Sequence, residues 1–350
     1  MSTRVVASAA SLHGARLPKS APYLSAALAI AVALALNVAT PVSGVAGTAT
    51  TAAGLFLLGY TGWSFAVEGR RHAVDRLVST LIYTSFVAAL VPLGWILGTV
   101  IVRGSRALSA TFLLHSMRGV GAQDAGGGLY HALVGTIEQV LIATAISVPI
   151  GVLAAVYVVE YGRHSHLSRA IGFFVDVMTG VPSIIAGLFI YTLLIVSLGW
   201  QRTGFAGALA LAILMIPVVV RSTEEMLKVV PHDLREASYA LGIPKWRTIL
   251  RVVIPTALGG IITGIMLAVA RVSGETAPLL LTTFLSQSIN FNPFSGPQAS
   301  VPTFVWDQIG SATKHSLDRA WAGALVLILF VAILYLSARV VARFTGRGRG

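Results

Sequence analysis

Apolar positions along this chain gather in long runs instead of the alternating or one-faced stripes of a water-soluble domain. Eight runs approach or exceed the roughly 20 residues that an apolar helix needs to cross a bilayer. They fall at 23–41, 45–67, 77–102, 133–159, 171–198, 204–220, 259–285 and 321–341. Polar residues collect in the intervals 1–22, 103–132, 221–258 and 286–320, with a Gly-rich turn at 121–128. Arg4, Arg16 and Lys19 ahead of the first run would suit a secretory signal, but a second run follows at once, so a retained anchor-like helix is expected. The pattern predicts an all-α polytopic membrane protein.

Composition agrees, since 55% of the 350 residues are apolar or aromatic and 11% are charged, against roughly a quarter charged in soluble domains. A net charge of +12 would in a soluble protein point to nucleic acid. Here the placement of the charges points to topology. Eighteen Lys and Arg fall on one side of the eight runs, including Arg70, Arg71, Arg76, Arg163, Arg169 and the stretch from Arg221 to Arg251, and six fall on the other. Cytoplasmic loops collect such residues, which predicts a multi-pass protein of the cytoplasmic membrane with both termini cytoplasmic. Anionic lipid headgroups are the expected nonspecific partner, and no nucleic acid is expected. There is no cysteine, and the eight histidines are scattered, His164 and His166 among them, with no H-E-x-x-H. Neither a metal site nor another cofactor is expected.

The interval 221–258 reads as two short amphipathic helices. Asp233 and Glu236 have the offset of a capping box, so a helix is predicted to begin there. Leu234, Ala237 and Leu241 share one face, and Gly242 followed by Pro244 supplies a stop. Pro244 suits the first turn of a second helix, with Trp246, Ile249, Leu250 and Val253 on an apolar face, Lys245, Arg247 and Arg251 on a basic one, and Pro255 closing it. Two readings fit this pattern: an interfacial pair lying on the membrane, or a knob presented to a soluble partner.

Residues Glu236, Ala237 and Ser238, then Gly242, then Ile254 and Pro255 resemble the EAA loop of ATP-binding cassette importer permeases, with Ser238 at the third position and Val252 in place of the usual Ile. The resemblance implies a coupling helix seated in a groove of a nucleotide-binding subunit, with Glu236, Ala237, Ser238, Gly242 and Pro255 as its coupling residues. The chain has no G-x-x-x-x-G-K-[ST] loop, so ATP hydrolysis is expected on a separate subunit and no catalytic residue on this one.

Four further stretches within 126–340 resemble the A subunit (PstA) of the phosphate-specific permeases. They are Gly127 to Leu129 with Val134 to Thr136, Pro149 to Tyr161, Gly180 to Leu188, and Arg271 to Pro278. The resemblance implies a six-helix importer permease core at 76–345 carrying a cytoplasmic coupling loop at 221–258. An N-terminal arm and about two extra spans at 1–75 would precede it. It also implies a substrate, inorganic phosphate, with sulfate or molybdate the alternative oxyanions. The implied partners are a second permease (PstC-like), nucleotide-binding ATPase subunits (PstB-like) and an extracytoplasmic phosphate-binding protein (PstS-like). The interval 286–320, with Pro293, Pro297, Pro302 and Trp306, is long enough to help contact that binding protein.

An ionisable residue inside a span costs about 2.5–3.5 kcal/mol on insertion scales, so each asks for a reason. Arg271 and Glu275 are four apart in the seventh run, which places them on one helix face beside Ser273, Gly274 and Thr276. They either neutralise each other or line the substrate path, Arg271 gripping a tetrahedral oxyanion and Glu275 moderating that grip. Asp176 and Glu138 lie near run ends, where snorkelling or interhelical bonding is expected. Pro217 reads as a kink, and Gly180 with Pro182 as a gate or hinge. Gly260 and Gly264 have the spacing of a close helix contact. An ion-coupled transporter would need inverted repeats and a membrane enzyme a converging nucleophile and base, and neither pattern is visible.

Overall fold

The computed structural model describes residues 16–39, 44–162 and 165–347. Arg4, Arg163, His164 and Arg349, used in the sequence reading, lie outside the described residues, as does most of the arm at 1–22. Regular structure among the described residues is entirely helical. The helices are α1 Ala21–Ala39, α2 Val45–Glu68, α3 Arg70–Ala107, α4 Ala110–Leu114, α5 Tyr130–Val156, α6 His166–Gly180 and α7 Ser183–Ile190. They continue with α8 Gly204–Val229, α9 His232–Ala240, α10 Lys245–Thr248, α11 Ile254–Ser273, α12 Ala277–Thr282, α13 Val301–Ser311 and α14 Lys314–Arg347. Five helices are long and apolar enough to cross a membrane, and the bent pair of α6 and the stretch from Ser183 to Ser197 makes a sixth if it is counted as one broken span. These match the third to eighth runs. The first two runs form α1 and α2, of which α1 carries a shorter apolar stretch, Ala21–Asn37.

The chain divides into two compact units, Met1–Gly98 and Thr99–Gly350. In the first, α1 and α2 pack along small residues such as the buried Ala29 and Ala33. Glu68 ends α2 and is almost fully buried. It accepts hydrogen bonds from Leu17 N (2.8 Å), Ser64 Oγ (2.8 Å) and the Arg76 guanidinium (2.6 and 2.7 Å), so the sharp turn from α2 into α3 is tied at one carboxylate.

In the second unit α5 and α8 form the central pair. Their interface is rich in small residues, with Ala143, Ala212 and Met215 completely or almost completely buried and Ser147 Oγ donating to Ala212 O (3.2 Å). Such residues let backbones approach where lipid offers no hydrophobic drive between helices. α11 packs on this pair, and α14 on α11.

The interval 286–320 is built, not loose. Its first part folds inward, where fully buried Gln298 donates to Glu138 Oε2 (2.6 Å) and Asn290 O (3.0 Å) and accepts from Gln139 Nε2 (3.1 Å). Glu138 is therefore held by a bond to another segment. The second part is α13, opened by a capping box between Ser300 and Thr303. The Gly-rich turn at 121–128 wraps the buried Arg319, whose guanidinium donates to Gln308 Oε1 and to the carbonyls of Gly121, Ala122, Asp124 and Gly126.

Three boundaries differ from the sequence reading. The run 171–198 is not one straight helix, because α6 and α7 meet at 106°. Pro182 has no N–H to donate and forces Val181 out of the helical region (φ −73°, ψ 126°). The run 204–220 continues to Val229, since Arg221, Glu224 and Lys228 pair along the helix and Arg221 also reaches Asp176 on α6. The run 259–285 stops at Ser273 and restarts as α12.

Among the described glycines, Gly135 makes the tightest approach to backbone of another segment, since a Cβ there would lie 2.0 Å from Ala299 O. Gly135→Ala is expected to lower the thermal midpoint of the purified protein, at a cost of about 1–3 kcal/mol. Gly172→Ala, which meets nothing within 4 Å, should leave it unchanged or raise it.

Candidate functional site

Two places combine chemistry-bearing residues with interrupted helices. The first is the turn between α8 and α11. α9 begins one residue before Asp233, with Pro231 at the N-cap and no side-chain cap bond, so the expected capping box between Asp233 and Glu236 does not form. Asp233 instead lies in the first turn, where its charge suits the helix dipole. The expected stop at Gly242 is there. Gly242 takes φ +73°, its N–H bonds Tyr239 O (2.9 Å) and Ile243 N bonds Ser238 O (3.3 Å), the paired bonds of a Schellman turn.

Pro255 does not close the second short helix. α10, a widened turn over Ile249–Val253 and α11 form one rod, Lys245–Ser273. The widened turn lies directly ahead of Pro255, where a regular helix would need the N–H that proline lacks and would press its ring on a carbonyl. A lever therefore runs from the turn straight into a span.

The turn is fastened from inside. Arg235 is buried and donates to Glu160 Oε1 through Nε (3.1 Å) and Nη2 (2.7 Å), and to the carbonyls of Leu227 (2.9 Å) and Val230 (2.7 Å). One guanidinium thus ties α9 to the end of α8 and to the widened turn Tyr157–Tyr161 that continues α5. Ser238, at the third position of the Glu-Ala-Ala pattern, shares a 2.8 Å hydroxyl bond with Thr248, and both are buried. That bond joins α9 to α10. Glu236, Ala237 and Gly242 face outward. Leu241 is 79% exposed and Trp246 53%, with Leu234, Tyr239 and Leu250 also exposed. Apolar side chains rimmed by charge thus stand exposed together on a braced turn.

The second place is the break after α11. Arg271 lies in the last helical turn and is exposed. Gly274 caps α11, so Glu275, half-buried, falls beyond the helix end and does not share a helix face with Arg271 as its spacing suggested. Among the described residues no ion pair or hydrogen bond joins the two side chains. Ser273 is buried, and its hydroxyl turns back to Val269 O (2.7 Å). Thr276 is the N-cap of α12, and its carbonyl accepts from Leu279 N and Leu280 N. α12 packs on α7, where Gly187 leaves room for Pro278. The elbow at Gly180 and Pro182 opens α7, so break and elbow belong to elements in direct contact. Pro217 stays within an unbroken α8.

Sequence reasoning missed the Arg235–Glu160 pair, whose members are 75 positions apart, and the Arg221–Asp176 pair between α8 and α6. Only the charge of these residues in apolar surroundings could have raised them.

The family model of binding-protein-dependent transport system inner membrane components matches residues 147–347. The phosphate transport system permease protein PstA 1 of Mycobacterium tuberculosis (strain H37Rv) is 48% identical over 281 residues, covering 80% of this chain and 91% of that protein. The PstA permease of Pasteurella multocida is 42% identical over 270 residues, covering 77% and 95%. Among solved structures, a chain of the inward-facing MetNI methionine ABC transporter aligns at TM-score 0.51 and 19% identity, covering 68% of this chain and 99% of that one. A chain of a bacterial alginate ABC transporter, solved with an alginate-bound periplasmic protein, aligns at 0.54 and 13%, covering 78% and 96%. The interrupted spans and the braced turn thus occur in a shared fold, and this chain belongs to the family of binding-protein-dependent transport system inner membrane components.

Proposed function

We propose that this chain is the permease subunit of an ATP-driven importer of inorganic phosphate. The observation that carries the reading is the 48% identity, over 80% of the chain, to a phosphate transport system permease. It works with a second permease (PstC-like), ATPase subunits (PstB-like) and an extracytoplasmic phosphate-binding protein (PstS-like). ATP is hydrolysed on the separate subunit, and the absence of a phosphate-cradling G-x-x-x-x-G-K-[ST] loop here supports that division. Both termini are cytoplasmic, as the bias of Lys and Arg supports. The permease domain is 76–345, and 1–75 is an added packing layer.

The α9–α10 turn is the coupling element. Glu236, Ala237 and Leu241 meet the ATPase, Gly242 and Ser238 keep the turn's shape, and Pro255 sits where the lever enters the span. At the other end of the lever Arg271 meets the phosphate, with Glu275 moderating its grip and Ser273 and Thr276 framing the break. Gly180 and Pro182 are the hinge, because the elbow they make joins α6 to the element that α12 packs on.

Three outcomes are expected. Phosphate-starved cells lacking the chain should lose high-affinity uptake of labelled phosphate, competed by phosphate and not by sulfate or molybdate. In cells with the chain, Arg271→Ala at equal membrane abundance should cut that uptake at least tenfold, and unchanged uptake would remove Arg271 from the path. Gly242→Ala forces a side chain onto φ +73°. It should reduce co-purification of the nucleotide-binding subunit several-fold, and full co-purification would exclude the turn as its docking point.

A further inference from the structure

Arg202 precedes α8, at the end of that helix opposite the α9–α10 turn. Its guanidinium lies 5.4 Å from the centroid of the Tyr191 ring and 5.0 Å from that of Phe284. Among the described residues it has no carboxylate partner and no hydrogen bond, so its five N–H donors are unused. Aromatic faces orient a guanidinium and lower its mobility without consuming its donors. Arg76, Arg221 and Arg235 are paired with carboxylates and Arg319 is enclosed by carbonyls, whereas Arg103, Lys245 and Arg247 each lie over a single ring and Arg202 over two.

Phe284 supplies the second observation. It has φ +62°, in the left-handed region, directly after the C-cap Thr283 of α12. Glycine commonly takes that place, and a bulky side chain there is strained. The strained residue is the one whose ring lies on Arg202. Strain held at one residue by its surroundings marks places where position matters more than stability. The backbone agrees, since Thr203 N bonds Thr282 O (3.2 Å), which holds the start of α8 against the end of α12, and Gln298 N bonds Thr283 O (3.3 Å), which fastens the segment ahead of α13 to the same end. α12 has six residues, a length of about 9 Å, and it runs from the break after Arg271 to Phe284. Trp200, Phe205 and Phe294 continue the aromatic group, with ring centroids 6.5 and 4.9 Å apart. Such groups collect at the membrane–water interface.

We infer that Arg202, oriented by Tyr191 and Phe284, binds a tetrahedral phosphate-type oxyanion at the mouth of the transport path, with Arg271 the next cation along α12. The inference rests on the proposed function and adds to it a receiving site at the end away from the ATPase. A planar guanidinium with two free edges offers paired N–H donors to two oxygens of such an anion. The rings hold the half-buried guanidinium without consuming its donors.

The test uses the complete transporter in phosphate-starved cells, with initial uptake at saturating labelled phosphate normalised to membrane abundance, and thermal midpoints of the purified complex with and without added phospholipid. Arg202→Gln is expected to lower uptake about tenfold, the weight of one charge-assisted contact, and Arg202→Lys to retain more than Arg202→Gln. Phe284→Gly should lower uptake several-fold while leaving the thermal midpoint unchanged or raised, because it relieves the strain and frees the guanidinium. Wild-type uptake by Arg202→Gln overturns the inference. So does a loss shared equally by Arg202→Lys with a lowered midpoint, which would be a packing effect. A lipid headgroup phosphate as the occupant gives wild-type uptake with weaker stabilisation by phospholipid, and that also overturns it. Absence of phosphate uptake with the wild-type chain overturns the cargo itself before any variant is compared.

Discussion

In hydrocarbon every backbone N–H and C=O must find its partner within the protein, and an unsatisfied group costs several kcal/mol. That constraint makes this chain helical and makes each interruption of a helix an event with a local remedy. At the α6–α7 elbow, Val181 N returns to Met178 O and Ile185 N to Pro182 O. At the α11–α12 break, Gly274 N returns to Arg271 O and Glu275 N to Val272 O. Ahead of Pro255 the helix widens for five residues instead of breaking. The repaired interruptions fall at the α6–α7 elbow, at the α11–α12 break and at the entry of the long rod. A chain that needed only to span the membrane would have no use for them.

The remedies also explain how movement at one end of α11 reaches the other. A rod of 29 residues from Lys245 to Ser273 has the exposed turn at its start and Arg271 in its last turn. Two fastenings keep the turn from swivelling, the Ser238–Thr248 bond between its arms and the fork of Arg235 on Glu160 and the α8 carbonyls. Breaking a buried ion pair by removing one member costs about 3–5 kcal/mol, because the other is left charged and unpaired. The pair therefore serves rigidity more than net stability. The fastenings join the turn to the ends of α5 and α8 and to the start of the rod that contains α11.

Much of this was legible in the sequence because spans announce themselves by composition. The six long spans, the stop at Gly242, the turn at 121–128 and the special place of Pro182 all follow from local rules. What was illegible depended on partners far away in the chain. Polar residues 221–228 look like a loop until Asp176 is seen beside Arg221 and Glu224 between its two cations. The spacing of Arg271 and Glu275 implies a shared face only if the helix continues, and Gly274 with Pro278 ends it. A serine in place of alanine at 238 looks like drift until Thr248 is found 2.8 Å away. Nothing in the sequence marks Phe284 as left-handed, since that conformation is imposed by the junction of α8 and α12.

The distribution of positive charge separates structure from function more sharply than its amount. A cation near apolar surroundings must be neutralised, caged or given something to bind. Arg76, Arg221 and Arg235 are neutralised, and Arg319 is caged by a Gly-rich turn whose carbonyls converge on it. Arg271 and Arg202 have neither remedy among the described residues. Both sit near the ends of α12, one exposed at the helix break and one half-buried against two rings. In a protein that passes an anion, unpaired guanidiniums near the two ends of one short helix are, on the proposal made above, successive stations. Each must bind weakly enough to release, and leaving them unpaired by rigid carboxylates keeps the anion itself as their partner.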